Sequence, residues 1–248
     1  MTERAHERAH EQVHERAHEQ VNEQGELQQS APESAPEQAS THEGTHDEAA
    51  RQARLRLAAS QTHLLPSQLP QSLLPLSWMI GAWRGHGKGG YAGIEDFAFI
   101  QEVTVTTDGR PFLSYESRTW ELNDEGRASR PLAVETGYIR PGIRADQPAA
   151  DASAHPVEMV LCHPTGYAEV FTGVTVTTGL ENAKITGAKL ELHTTGALST
   201  TSAKKYSGGD RLYGLVNGQL LWVLDMEAMG SELASHVSAQ LSPLAADE

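Results

Sequence analysis

Gly81-Ala82-Trp83-Arg84-Gly85-His86-Gly87 is the stretch whose reading decides the fold. Glycines spaced through a strand let backbones approach closely, and here they surround one large indole. The motif therefore reads as the opening strand of a closed barrel, packed tightly around Trp83 at the barrel base. A phosphate cradle is the competing reading. It lacks support, because no Lys-Ser/Thr pair follows and no strand–loop–helix setting surrounds the glycines. Gly-x-Trp also opens lipocalin-type barrels.

Working outward, Leu73–Ile80 before the motif reads as a short capping turn or helix. After the motif, alternating apolar and polar residues recur between closely spaced turn signals, the pattern of an all-β sandwich or barrel. Counting Trp83–Tyr91 first, strands are expected at Glu95–Thr106, Pro111–Leu122, Pro131–Arg140, Pro156–His163 and Tyr167–Val176. Lys184–His193, Gly196–Tyr206, Asp210–Val216 and Gln219–Asp225 follow, which makes about ten. Asp108-Gly109, Asn123–Gly126, Pro164–Gly166 and Asn217-Gly218 mark turns, and a Pro/Ala/Asp-rich loop covers Pro141–Ala154. Leu233, Val237 and Leu241 recur at helical spacing, so a short C-terminal helix is expected at Ser231–Leu241. The fold class is all-β: an antiparallel up-and-down barrel of the fatty-acid-binding-protein or lipocalin kind, whose closure removes exposed edges. A sandwich satisfies the same alternation. A barrel of this size leaves an interior that side chains alone do not fill, so a ligand cavity is expected.

The 248 residues divide by composition into a leader at 1–70, a barrel at 71–243 and a tail at 244–248. Residues 1–65 contain no Trp, Phe or Tyr and too little apolar surface to offset the entropy of folding. Within them Glu3-Arg4-Ala5-His6 begins a tetrapeptide repeat that runs to Asn22, with His6, His10, His14 and His18 one period apart. On a helix those histidines form a shallow stripe, either a weak divalent-metal tract or simply a low-complexity tail. Residues 30–50 read as linker, and Glu48–Ala59 as a short helical patch. The net charge of −14 disfavours nucleic acid and anionic membrane surfaces as partners. No apolar run approaches the roughly 20 residues of a membrane span, and no signal-peptide pattern opens the chain, so a cytoplasmic protein is expected. The single cysteine, Cys162, excludes an intrachain disulfide or a cysteine-ligated metal cluster, and its neighbours Val160 and Leu161 suggest that it is buried in a strand.

His236 is the candidate ligand, because few other roles suit the expected C-terminal helix that carries it, and neutral imidazole is a common ligand of cofactor metals. A surface or capping histidine is the alternative. His163 reads as a turn or satisfied core residue; His86 lies in the glycine motif, His155 in the long loop, and His193 at a strand end. No pair has the spacing of a protein-only metal site, and neither a Gly-x-Ser-x-Gly elbow nor a dinucleotide-binding Gly-x-Gly-x-x-Gly is present.

Several segments together resemble the nitrobindin family of haem-binding barrels. They are Leu76–Gly87, Arg118-Thr119-Trp120, Glu135–Arg140, Val160–Gly166, Ser202-Ala203-Lys204, Leu224-Asp225-Met226 and the His236 segment. The resemblance implies a ten-stranded barrel holding one ferric haem b, with His236 as axial ligand and Lys204 near the haem periphery, where its cation could meet a propionate. It departs from the family at Tyr91-Ala92-Gly93, where Gly93 replaces a threonine that could contact haem, and at Ala133, where many members carry histidine. The implied activity is isomerisation of peroxynitrite to nitrate, with reversible nitric oxide binding at the same iron and room for a homodimer. A lipocalin-like carrier of a small hydrophobic ligand is the rival function, and the colour of the purified protein separates the two.

Overall fold

Ten antiparallel strands close into one barrel in the computed structural model, which describes residues 43–62, 64–91, 93–143, 153–228 and 230–245. The repeats at 3–22, the linker up to 42, the 144–152 part of the long loop and the tail residues 246–248 lie outside the described residues. The strands are β1 (Gly81–Tyr91), β2 (Ile94–Thr106), β3 (Leu113–Leu122), β4 (Ala128–Pro141), β5 (Ala154–His163), β6 (Tyr167–Glu181), β7 (Lys184–Ser199), β8 (Tyr206–Val216), β9 (Gln219–Ala228) and β10 (Ala234–Pro243). Each pairs with its neighbours in sequence, and β1 pairs with β10 from Trp83↔Pro243 to Gly89↔Val237 to close the ring.

Period-two patterning builds the walls. On β3, Leu113, Tyr115, Ser117 and Thr119 are buried inside, while Ser114, Glu116 and Arg118 alternate with them. The expected Asn217-Gly218 turn joins β8 to β9 with both residues at positive φ, 51° and 77°, the backbone that a two-residue hairpin needs.

One end of the barrel is plugged. The segment before β1 forms a 3-10 helix, Gln71–Met79, whose Leu73, Leu76 and Met79 are buried in the core. The Trp83 indole N–H donates to the Met79 carbonyl at 3.0 Å, tying the glycine motif to this plug. The glycine requirement is steric at Gly85, where a Cβ would lie 2.1 Å from the Gln240 carbonyl oxygen of β10. The motif is thus wall and base.

Outside the barrel, the helical patch expected at Glu48–Ala59 is a longer helix, α1 (Glu43–Gln61). It places Leu55, Ala58 and Ala59 on Ala82 of β1, and Arg51 bonds the buried carboxylate of Glu102 on β2. Among the described residues no helix is long and apolar enough to cross a membrane.

Three expectations are corrected. The C-terminal helix at Ser231–Leu241 is instead strand β10. Its Leu233/Val237/Leu241 spacing fits a helix, but Val237, Ala239 and Leu241 also alternate with Ser238, Gln240 and Ser242. Two waiting edges, β1 and β9, decide in favour of the strand, since a helix would leave both open. The expected strands Lys184–His193 and Gly196–Tyr206 are not separate. β7 runs through both as far as Ser199, passing a bulge where Phe171 pairs Thr194 and Val170 pairs Gly196. The count of ten survives because one strand merged and one was gained. Cys162 lies on β5 as expected but is exposed, because alternation turns Leu161 and His163 inward and Cys162 out.

Candidate functional site

The open end of the barrel carries the β1–β2, β3–β4, β5–β6, β7–β8 and β9–β10 connections. His236 stands there on β10, half-buried, at a bulge: Ser235 pairs Asp225 and Val237 pairs Leu224, leaving His236 as the extra residue. Bulges re-aim a side chain, and this one frees His236 from the alternation of its strand. Its Nδ1 lies 3.0 Å from the Gly90 carbonyl oxygen of β1. A carbonyl only accepts, so Nδ1 carries the proton and Nε2 keeps its lone pair. Burial holds the imidazole below its usual pKa, and the Gly90 carbonyl only partly offsets that effect.

Aromatic rings fix the imidazole from the side. Tyr91 meets it edge-on at 5.6 Å between centroids and Phe97 at 6.3 Å. The Tyr91 hydroxyl accepts from the Ala228 N–H at 3.2 Å and lies 2.9 Å from the Met226 carbonyl and 3.2 Å from that of Glu232. One phenol thus ties β1 to both sides of the β9–β10 connection. Gly89 keeps this corner open to the rings, since a Cβ there would lie 2.4 Å from Phe97 Cζ.

The ring order places β5 diametrically across from β10. On that far side the interior is polar. Arg211 of β8, its side chain 1% exposed, donates to both carboxylate oxygens of Glu135 on β4, at 2.6 and 3.1 Å. Its Nη2 stands 3.8 Å from Glu169 of β6. His163 faces both acids, with Nε2 at 3.0 Å from Glu169 and Nδ1 at 3.8 Å from Glu135. Burial alone would raise the Glu135 pKa, but the Arg211 charge and hydrogen bonds hold it below the usual carboxylate value. His163 stacks on Tyr167 at 4.0 Å, and Tyr167 on Tyr206 at 4.7 Å. Burial, then the neighbouring carboxylates, push both phenols above their ordinary pKa.

The sequence-expected residues share the open end without sharing contacts. Lys204 is exposed in the β7–β8 connection. Gly93 lies in the β1–β2 turn at φ 78°, with no atom within 4 Å of where a Cβ would stand. Ala133, exposed, lies opposite Thr119 near the same end. His163 is the satisfied core histidine expected of it, whereas His86 and His193 are exposed on the outside, and His155 belongs to β5 rather than the loop. Sequence reasoning missed Gly90, Phe97 and the far-wall cluster. The odd-numbered Glu135, in step with buried Ile139, was the available signal for an inward-facing acid.

These residues suit a haem. The open end has an imidazole held below its usual pKa with a free Nε2, aromatic rings beside it, and an exposed lysine in a connection at the same end of the barrel. Among the described residues no group of His, Cys, Asp and Glu could hold a bare metal ion instead.

Known proteins match this architecture. The crystal structure of Rv2717c from M. tuberculosis superposes with a TM-score of 0.59 at 32% identity, covering 71% of this chain and 99% of that one. A protein named peroxynitrite isomerase from Parafrankia sp. is 40% identical over 180 residues, 70% of this chain and 80% of its own length. Ferric nitrobindin-like protein from Kineococcus radiotolerans is 40% identical over 182 residues, 71% of this chain and 96% of its own. A peroxynitrite isomerase from Nocardioides sp. matches at 40% over 183 residues, 71% and 98%. Residues 72–242 match the model of the THAP4-like, heme-binding beta-barrel domain, the barrel described above but for its last strand residue. The chain belongs to this family of haem-binding β-barrels.

Proposed function

We propose that this chain is a haem-dependent peroxynitrite isomerase in which His236 Nε2 would hold the iron. The observation that carries the reading is the His236 bulge with Nδ1 committed to the Gly90 carbonyl, which leaves one nitrogen for iron. Two of the relatives described above bear the name peroxynitrite isomerase, and the barrel is a haem-binding one. Ferric haem held there would supply a Lewis-acidic iron for the peroxynitrite anion or for nitric oxide. The protein's part is to hold and to dry. The Gly90 carbonyl fixes the tautomer and ring plane of His236, and Tyr91 and Phe97 keep water from its flank. Lys204 offers a cation to a haem carboxylate, while Gly93 offers backbone only.

The same reading includes a cytoplasmic location, which suits the exposed, unpaired Cys162. It also includes a homodimer. The support is an exposed outer ladder, Tyr138–Val160–Val170, register-paired across β4, β5 and β6; sedimentation velocity decides it.

His236→Ala tests the assignment. The variant is expected to lose the haem Soret band and most peroxynitrite decay, while nitrate remains the product of the parent. Full activity and an unchanged spectrum in the variant would overturn it. A parent protein that stays colourless with added haemin favours the carrier function.

A further inference from the structure

The far wall holds a tyrosine–carboxylate pair that the isomerase reading does not use. We propose that Tyr206 is a self-nitration site, primed by Glu169, for nitrogen dioxide that escapes from peroxynitrite.

The Tyr206 hydroxyl donates to Glu169 Oε1. Glu169 is 1% exposed overall, and its side chain is sealed. The carboxylate also accepts from Thr194 Oγ1 at 3.2 Å and faces His163 Nε2 at 3.0 Å, so it is held in place beneath the phenol. Tyr206 itself is half-buried at the start of β8, beside the open end. Its ring is the outer member of the stack with Tyr167 and His163.

Removing one electron from a phenol makes its O–H strongly acidic, so oxidation is easiest where a base already accepts that hydrogen bond. Glu169 is such a base. Peroxynitrite supplies the oxidant, because its O–O homolysis gives nitrogen dioxide. In the first step nitrogen dioxide takes one electron from the ring and becomes nitrite. The phenol O–H bond breaks, its proton passes to Glu169 Oε1, and a neutral phenoxyl radical remains. In the second step another nitrogen dioxide forms a C–N bond at the ring carbon ortho to the oxygen. That carbon loses its proton, aromaticity returns, and Glu169 gives up the proton it took. The sum is one tyrosine and two nitrogen dioxide giving 3-nitrotyrosine, nitrite and one proton.

Tyr138, Tyr91, Tyr115 and Tyr213 lack this combination of access and base. Tyr138 is the most exposed at 52%, but its ring leans on Phe112 and the structure gives its phenol no carboxylate. Tyr91 bonds backbone groups, and Tyr115 and Tyr213 are sealed beneath the cluster. Accessibility alone favours Tyr138, whereas proton acceptance favours Tyr206. A nitrated phenol is a far stronger acid, so its phenolate would stand against Glu169 and loosen the β6–β8 wall.

The proposal rests on peroxynitrite meeting this barrel, so the test is run on the full chain both without and with haem. Peroxynitrite is added in bicarbonate buffer, which generates nitrogen dioxide, and nitration is read at each tyrosine by peptide mass spectrometry. In the haem-free chain Tyr206 is expected to carry several-fold more 3-nitrotyrosine than Tyr138. Glu169→Gln should remove most of the Tyr206 product while leaving the Tyr138 yield unchanged. Should that variant fail to fold, the parent in D2O replaces it, where the Tyr206-to-Tyr138 ratio should fall because a proton moves with the electron. Tyr138 leading in the haem-free parent, a Tyr206 yield indifferent to Glu169→Gln, or a ratio unmoved by D2O each overturns the proposal. Haem loading should lower nitration at every tyrosine. Failure of that arm alone counts against the isomerase reading and leaves the Tyr206 ordering standing.

Discussion

At the scale of residues, His236 takes its direction from a backbone carbonyl and a bulge, with the Tyr91 and Phe97 rings at its side. Its partner in that task is Tyr91, whose hydroxyl collects an N–H and two carbonyls around the β9–β10 connection. Tyr91→Phe keeps the ring beside the imidazole and strips the hydroxyl, leaving the buried Ala228 N–H without its acceptor. An unsatisfied buried donor costs about 1–3 kcal/mol, and urea unfolding of the haem-free variant should show that loss. A haem dissociation rate that rises in parallel would tie the loss to the ligand loop; an unchanged rate would confine Tyr91 to stability. His236 was legible as a candidate because few other roles suited a lone histidine near the last segment. Its partners were not, since Gly90 contributes a carbonyl, which every residue has.

At the scale of elements, β10 shows how pattern and context compete. The last segment carries both helical and alternating periodicities, and nothing local chooses between them. The choice is made by the edges of β1 and β9, which are far apart in sequence and adjacent in space. The β1–β10 seam is also where the glycine motif acts. Gly85→Ala would drive a Cβ to 2.1 Å from the Gln240 carbonyl, and rigid backbone can yield only by parting the strands. Overpacking of this kind costs about 1–3 kcal/mol or more, so thermal unfolding should drop by several degrees. A variant that melts like the parent would mean the seam has slack.

At the scale of the whole molecule, Arg211 spans the interior from β8 to Glu135 on β4, with Glu169 of β6 beside it. It lies over the rings of Phe171 and Trp222 as well, so one guanidinium anchors several walls. Arg211→Met would strand buried carboxylates and should cost about 3–5 kcal/mol at neutral pH. Arg211→Met with Glu135→Gln should recover part of it. The pH dependence follows from Glu135, whose folded-state pKa lies below the ordinary 4.5. Its stabilisation is complete above the unfolded-state value and is lost as pH falls through the folded one. The parent should therefore lose stability in acid below about 4.5, and Arg211→Met should flatten that limb, read by denaturant titration across pH.

The sequence by itself determined the all-β class, the plug before Trp83, the Asn217-Gly218 turn and His236 as the residue to examine. These are local: period-two alternation, turn chemistry and glycine spacing act within a few residues. Tertiary structure alone decided that the last segment is a strand and that a bulge turns His236 toward Gly90. It also decided that Arg211, Glu135, Glu169 and His163 meet. Those outcomes depend on ring closure, which brings together positions as far apart as Glu135 and Arg211 and leaves no trace in the spacing of either.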